Sequence, residues 1–203
     1  WNVLVNTGRT SCSKPNLQNL PRRAGVREAL CPRPGNIFFG ADYSVAELKS
    51  LAQVLYNQIG DNAMMRACNA DKDLHLVTAS QIDGCSYDEM YKRYKSGDPE
   101  AKNLRNLSKV VNFGYPGGMG PAALVESAAG QGVTITEQEA KDLKVVWLDA
   151  YPEMHGYFER ISRQAAGGWF MMEQHYSGRL RDKCTYCSGA NTLFQGLTAD
   201  GVK

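Results

Sequence analysis

Three basic residues and one aromatic residue recur at helical spacing, and their chemistry suits a polyanion. Lys102, Arg105 and Lys109 follow at intervals of three and four residues, and Phe113 comes one turn later, with no acidic residue between Lys102 and Lys109. Such residues share one face of an α-helix. Arg offers phosphate oxygens a planar fork, Lys a point charge, and Phe113 an apolar plane for a base or sugar. This basic face is a candidate phosphate site. A solvated charged surface is the alternative.

A carboxylate lies upstream, after a short apolar run. The run 37–41 predicts a buried strand that ends at Asp42, and the apolar spacing from Leu48 to Leu55 predicts an amphipathic helix, with Ser44 as its cap. A carboxylate between a strand and a helix can face a cleft and hold a hard cation such as Mg²⁺. A turn or capping residue is the alternative for Asp42.

Other segments predict the elements that position these groups. Residues 7–23, rich in small polar side chains and arginines, predict a loop or irregular strand with groups for sugar, base edges and phosphate. Asp73 predicts the N-cap of a helix, and His75 beside it could face phosphate. Helices are predicted over 61–82 (two), 100–113, 121–129, about 137–151, 153–166 and 191–203, with a strand near 169–175.

Composition is that of a folded globular protein. The chain has 203 residues, a net charge of +2, 43% hydrophobic and 22% charged residues. No apolar run approaches the roughly 18 residues of a membrane span, so no membrane partner is expected. Six scattered cysteines predict reduced thiols in a cytoplasmic protein, and Cys184 and Cys187 lack a second pair at zinc spacing.

Several motifs, in order along nearly the whole chain, resemble those of the family A DNA polymerases, the group of bacterial polymerase I and phage polymerases. They are T-G-R and S-K-P-N-L-Q-N-L-P in 7–21 (primer-template segment), D-Y-S-V-A-E-L-K at 42–49 (motif A), D-L-H at 73–75, R-x-x-x-K-x-x-N-F-G at 105–114 (motif B), and N-T-L-F-Q-G-L-T-A-D at 191–200. The motif A match departs from the family pattern at Val45, Ala46 and Lys49.

The resemblance implies roles for individual residues. Asp42 would be one of two carboxylates that hold two catalytic Mg²⁺ ions, with the carbonyl of Tyr43 as a further ligand. Arg105 and Lys109 would act with Asp42 in catalysis. The nucleotide would be bound by His75, Arg105 and Lys109 at its triphosphate and by Phe113 at its sugar and base. Tyr43 would also contact the nucleotide, and Glu47 would help to exclude a ribose 2′-hydroxyl. The primer-template duplex would be lined by Arg9, Asn16, Gln18, Asn19, Asn191 and Gln195.

The resemblance also implies the fold and the reaction. We expect a helix-rich α+β fold, a partial palm containing a short antiparallel sheet together with mostly helical fingers. The palm would begin with 1–55, the fingers would cover 56–166, and 167–203 would return to the palm. The function would be template-directed DNA synthesis, with primer-template DNA and dNTP as partners of a monomer. Single-subunit RNA polymerases share this architecture but differ in motif A, which favours DNA synthesis.

Two departures from the family qualify this expectation. Most members carry a Tyr near the templating base where this chain has Gly117, and whether Tyr115 replaces it is open. The glycine-rich turn also occurs in phage-type members and favours a viral source. The family's second metal carboxylate would follow Lys203, so we expect an incomplete fragment with little or no activity on its own. A non-catalytic DNA- or nucleotide-binding module derived from a polymerase is the alternative.

Overall fold

The computed structural model describes residues 5–20, 25–130 and 132–202, and most of them are helical. The helices are α1 Ala46–Ile59, α2 Ala63–Asn69, α3 Leu74–Asp83, α4 Tyr87–Lys95, α5 Pro99–Gly114, α6 Pro121–Ala129, α7 Glu137–Ala150, α8 Glu153–Ala165 and α9 Tyr186–Val202. The strands are β1 Phe170–Glu173 and β2 Leu180–Cys184, and 3-10 turns span Leu17–Asn19 and Tyr115–Gly117. The prediction of a helix-rich α+β fold with a short antiparallel sheet is confirmed.

Local capping explains where many of these helices begin. Thr136 and Glu139 form a reciprocal capping box at the start of α7, and Pro99 and Pro121 open α5 and α6, where a missing backbone N–H costs nothing. At the starts of α2, α3, α4 and α5, a capping side chain accepts a backbone N–H of the first turn. These caps are Asn62, Asp73, Ser86 and Asp98. The local sequence therefore determines where these helices begin.

The main core joins the helices into one packed body. Helix α1 packs against α9, α3 against α5 and α7, α6 against α7, and α8 against α9. Trp147 lies at its centre and is fully buried, with ring centroids 5.8 Å from Tyr115 and 5.6 Å from Tyr151. Such aromatic pairs bury large apolar areas with defined geometry. The core thus fixes α3, α5 and α7 relative to one another.

A small hairpin covers the middle of α9. Strands β1 and β2 pair antiparallel, with an irregularity between Phe170 and Met172. The ring of Phe170 packs on Gly189, where any Cβ would overlap it. After β1, buried Gln174 donates from Nε2 to the carbonyl of Leu193 at 2.7 Å. The hairpin is therefore built around close approach to α9.

Arg179 ties the hairpin to the N-terminal segment. Its guanidinium donates to the carbonyls of Asn6 and Thr7 at 3.3 and 3.2 Å, and it pairs with Asp200 at 3.3 Å. Gly8 permits this approach, because an added Cβ would lie 2.6 Å from Arg179 Nη2. The segment predicted to contact DNA is thereby held against the end of α9.

The predicted buried strand over 37–41 is wrong. Ile37, Phe38 and Phe39 are 87%, 68% and 89% exposed and have no strand geometry. A strand needs neighbouring backbone groups to pair with, and none of the described residues supplies them. The predicted cap Ser44 is also wrong, since α1 begins after Val45 in the left-handed conformation (φ 54°), with no side-chain cap.

Gly196 on α9 gives a test of this packing. A Cβ there would overlap Gln174 Oε1 and lie 2.9 Å from Arg179 Nη2, so Gly196→Ala should lower the free energy of unfolding by about 1–3 kcal/mol. Urea unfolding measures this. In the same helix, Gly201 has nothing within 4 Å, and Gly201→Ala should be neutral or stabilising by up to about 1 kcal/mol. Equal effects of the two substitutions would contradict the packing.

Candidate functional site

One open pocket of about 730 Å³ lies where the segment before α1 meets α3, α5 and α9. Thr198 and Val202 line it from α9. It is also lined by all the side chains that the motif resemblance associates with metal and nucleotide: Asp42, Tyr43, Glu47, His75, Arg105, Lys109 and Phe113. The structure therefore brings these residues together from distant parts of the sequence. Their individual roles stay predictions.

Asp73 organises the basic side of this pocket. Its Oδ1 accepts the backbone N–H of His75 at 2.9 Å, and its Oδ2 pairs with Arg105, 2.9 Å from Nε and 2.8 Å from Nη2. Arg105 also stacks over the Tyr94 ring, 5.1 Å from its centroid. The helix α5 carries no acidic residue between its cations, but Asp73, the N-cap of α3, supplies an acidic partner for Arg105. Lys109 is exposed and has no salt bridge within the described ranges.

His75 lines the same pocket as a buried ring. It is 2% exposed, and its centroid lies 5.5 Å from that of Phe113, which is itself 45% exposed. Burial lowers the pKa of His75 to about 4; Asp73 opposes this shift, and the cations Arg105 and Lys109 add to it. The imidazole is therefore neutral at pH 7.

The acidic side of the pocket consists of Asp42 and Glu47. Asp42 is exposed, lies in neither a helix nor a strand, and forms no salt bridge with any residue the structure describes. Glu47 is paired with Arg9 and is only 17% exposed at its side chain. Within 5–20, 25–130 and 132–202, no group of three or more His, Cys, Asp or Glu is placed to hold a metal ion. The Asp42 carboxylate and the Tyr43 carbonyl are oxygen donors of the kind Mg²⁺ prefers, and phosphates commonly complete its coordination.

The residues predicted to line DNA lie in two groups. Gln18 lines a smaller pocket of about 320 Å³ with Arg9 and the end of α9, and its Nε2 donates to the carbonyl of Thr10 at 3.1 Å. Asn16 caps the 3-10 turn by accepting from the Gln18 backbone N–H at 3.2 Å, and Asn19 is exposed. Arg22 and Arg23, also predicted to suit phosphates, lie outside the described residues.

The second group lies further back along α9. Asn191 donates to the Gly117 carbonyl at 3.2 Å and accepts from Gln195 Nε2 at 3.1 Å. Asn191, Gln195 and Thr198 follow one helical face, and Thr198 lines the pocket, so this polar row leads from Gly117 to the pocket over a rise of about 10 Å. Asn191 and Gln195 are thus separate from the group around Arg9 and Gln18, but both groups lie along α9.

Tyr115 does not take the place of a pocket tyrosine. It is 1% exposed, packs on Trp147, and donates its hydroxyl to the carbonyl of Ala140. Gly117 itself lies against α9, where an added Cβ would be 2.5 Å from Asn191 Nδ2. The turn after α5 therefore carries no aromatic side chain into the pocket.

Sequence patterns missed Asp73 as the partner of Arg105, and they missed Asn112 altogether. Asn112 is fully buried behind the pocket and hydrogen bonds to His75. Its place in the N-F-G motif marked the segment but gave the side chain no role. Both contacts join α3 to α5 across more than thirty positions, and no local periodicity reports such a pairing.

The sequence profile of DNA polymerase family A matches residues 2–202. The chain belongs to DNA polymerase family A. It is 32% identical to DNA polymerase I of Bacillus caldotenax over 99% of its length, and 29% identical to that of Aquifex aeolicus over 97%. It spans 22% and 32% of the lengths of those two relatives.

A solved family structure has the same fold. The polymerase domain of Pol1 from M. smegmatis, in complex with DNA primer-template and dNTP, matches with a TM-score of 0.71 and 25% identity. The match covers 99% of this chain and 35% of that one. This family A chain thus corresponds to part of a polymerase domain. Within its described residues, no helix is long and apolar enough to cross a membrane.

The buried histidine predicts a pH dependence of stability. Between about pH 6.5 and pH 4 the unfolded chain binds a proton at His75 that the folded chain does not bind, so stability falls as pH drops through this window. This contribution amounts to up to roughly 3 kcal/mol. His75→Gln should therefore flatten the pH dependence of the unfolding free energy, measured by denaturant titration.

His155 provides the control for this measurement. It lies exposed on α8, outside the pocket. His155→Gln should leave the pH dependence close to that of the unmodified chain. If His75→Gln and His155→Gln change the slope equally, the assignment of the slope to His75 fails.

Proposed function

We propose that this chain forms the nucleotide-binding part of a polymerase that carries out template-directed DNA synthesis by nucleotidyl transfer from dNTP to a primer 3′-hydroxyl. The observation that carries the proposal is the convergence of Asp42 with the Arg105–Lys109 face on one open pocket. An exposed carboxylate opposite two cations suits a metal-bound triphosphate, because the carboxylate attracts the metal ion and the cations attract the phosphates.

The basic side would bind the triphosphate. Lys109 is exposed and free to reach a phosphate, whereas Arg105 is held in place by Asp73 and Tyr94. A pre-positioned guanidinium loses less side-chain entropy on binding than a free one. His75 adds a neutral polar ring. Arg105 and Lys109 would also stabilise the charge that develops on the transferred phosphoryl group.

Phe113 and Glu47 would define the nucleoside end of the site. The ring of Phe113 is half exposed beside His75 and offers an apolar plane to a base or sugar. Glu47 is held by Arg9, so its position is fixed before a nucleotide arrives. A fixed side chain at this place would help to exclude a ribose 2′-hydroxyl.

Asp42, with the Tyr43 carbonyl, would hold Mg²⁺ together with the phosphates of the nucleotide. When bound in such a site, Mg²⁺ activates the attacking hydroxyl and neutralises phosphate charge. We propose that Asp42 is one carboxylate of a pair that serves two ions in a complete polymerase, and that the 203-residue chain alone extends primers little or not at all. The large fraction of each relative that this chain does not span supports this division.

The N-terminal segment and the polar row on α9 would contact primer-template DNA. Gln18 and Arg9 meet the end of α9, and Asn191 and Gln195 continue the same helical face. The M. smegmatis neighbour was solved with primer-template DNA and dNTP, which supports this assignment. We propose a division into palm (1–55), fingers (56–166) and a return to the palm (167–203).

Lys109 provides the first test of nucleotide binding. Lys109→Ala should weaken binding of Mg·dATP to the chain about tenfold, because one charge-assisted contact to phosphate is lost. Isothermal titration calorimetry at low salt measures the affinity. Lys102→Ala is the matched control, since Lys102 is exposed on the same helix but does not line the pocket. Equal losses would indicate only general electrostatic attraction.

Asp42 provides the test of metal-assisted binding. Asp42→Asn should remove most of the increase in dATP affinity that Mg²⁺ produces, while leaving the fold intact because Asp42 is exposed. Titrations with and without Mg²⁺ measure this difference. Asp149→Asn, an exposed substitution on α7, should retain the full Mg²⁺ effect. A full effect in Asp42→Asn would contradict the metal assignment.

A further inference from the structure

The buried amide of Asn112 joins three helices behind the pocket. Asn112 is 1% exposed. Its Oδ1 accepts from Trp147 Nε1 at 2.8 Å and from Thr78 Oγ1 at 3.0 Å. Its Nδ2 lies 3.2 Å from the Leu74 carbonyl and 3.1 Å from His75 Nδ1. Both ends of the amide are therefore engaged, and one of its partners lines the nucleotide pocket.

Two of these partners fix the orientation of the amide. The indole N–H of Trp147 can only donate, and the carbonyl of Leu74 can only accept. The oxygen of Asn112 must therefore face Trp147, and its nitrogen must face Leu74. A flipped amide would oppose donor to donor and acceptor to acceptor, and each unsatisfied buried group costs about 1–3 kcal/mol.

The orientation of the amide in turn dictates the proton position on His75. Nδ2 of Asn112 has only hydrogens to offer, so Nδ1 of His75 must accept and carries no proton. The single proton of the neutral ring then lies on Nε2. A proton on Nδ1, in either the other tautomer or the imidazolium, would oppose two N–H groups at 3.1 Å.

The charged groups around His75 agree with a neutral ring. On the pocket side the ring faces Arg105 and Lys109 from α5, with Asp73 at the start of its own helix. Asp42 and Glu47 line the same pocket from the other side, and Glu47 is already paired with Arg9.

We propose that Asn112 is a positioning residue that, oriented by Trp147, holds His75 as the neutral Nε2–H tautomer and so presents an uncharged hydrogen-bond donor to the nucleotide phosphates. The choice of ligand rests on the proposed function, whereas the tautomer rests on this chain's own hydrogen bonds. In this arrangement the positive charge for the triphosphate comes from Arg105 and Lys109. His75 contributes a directed hydrogen bond without charge, and this contribution does not change with pH near neutrality.

The tautomer can be measured without any ligand. Long-range ¹⁵N–¹H correlation spectra of the 203-residue chain at pH 7 should show His75 with a protonated Nε2 and an unprotonated, pyridine-type Nδ1. The chain has only three histidines, so His155→Gln and His175→Gln complete the assignment. A protonated Nδ1, an imidazolium or an averaged mixture would overturn the proposal.

Asn112→Asp tests whether the amide is the cause. The introduced carboxylate retains an acceptor for Trp147 but turns an acceptor toward His75, so the proton should move to Nδ1 or both nitrogens should be protonated. Mg·dATP affinity should fall roughly threefold to tenfold, since one directed hydrogen bond to phosphate is lost. Asn103→Asp adds the same charge at an exposed position of the same helix and should change neither.

The outcomes separate this proposal from the proposed function. A merely structural role for Asn112 predicts an unchanged His75 tautomer in folded Asn112→Asp, and that result would overturn the proposal. If Asn112→Asp does not fold, the spectrum of the unmodified chain still tests the proposed tautomer of His75, and a protonated Nδ1 there would overturn the proposal. Failure of the unmodified chain to bind Mg·dATP would contradict the proposed function, while the tautomer would still be decided by the spectrum.

Discussion

The Asp73 carboxylate is the interaction on which the candidate site depends. One of its oxygens caps α3 and the other holds Arg105, so a single side chain sets the start of one helix and the reach of another. A capping carboxylate already lies near the positive end of a helix dipole, where its charge is stabilised. Pairing it with Arg105 places cation and imidazole at the same edge of the pocket. Asn112 makes the second connection between these helices, one layer deeper.

The two sides of the pocket therefore differ in how firmly their charged side chains are held. The basic side is pre-organised, because Arg105 is held by an acid and an aromatic ring. The acidic side is open, because Asp42 is exposed and lies outside any helix or strand. A metal-bound triphosphate would join the two sides by bridging the cations and the carboxylate. The residues on the two sides lie more than sixty positions apart in this chain, and the fold brings them to one pocket.

Local sequence predicted much of the fold, because helix starts are local events. The caps at Asp73 and Thr136 and the proline at the start of α6 all lie where the sequence indicates. The strand over 37–41 was wrong, because an apolar run shows hydrophobicity but not a pairing partner. The motifs selected the pocket residues but not what holds them. The Asp73–Arg105 and Asn112–His75 contacts depend on tertiary packing, which a single sequence does not show.

The central claim is that the pocket between Asp42 and the basic face binds a metal-bound nucleotide. It is tested most directly by mapping NMR chemical shift changes across the assigned chain during titration with Mg·dATP at low salt. The account predicts saturable changes concentrated at His75, Lys109, Phe113 and the segment around Asp42. Changes confined to other surfaces, or no saturable change at all, would contradict it.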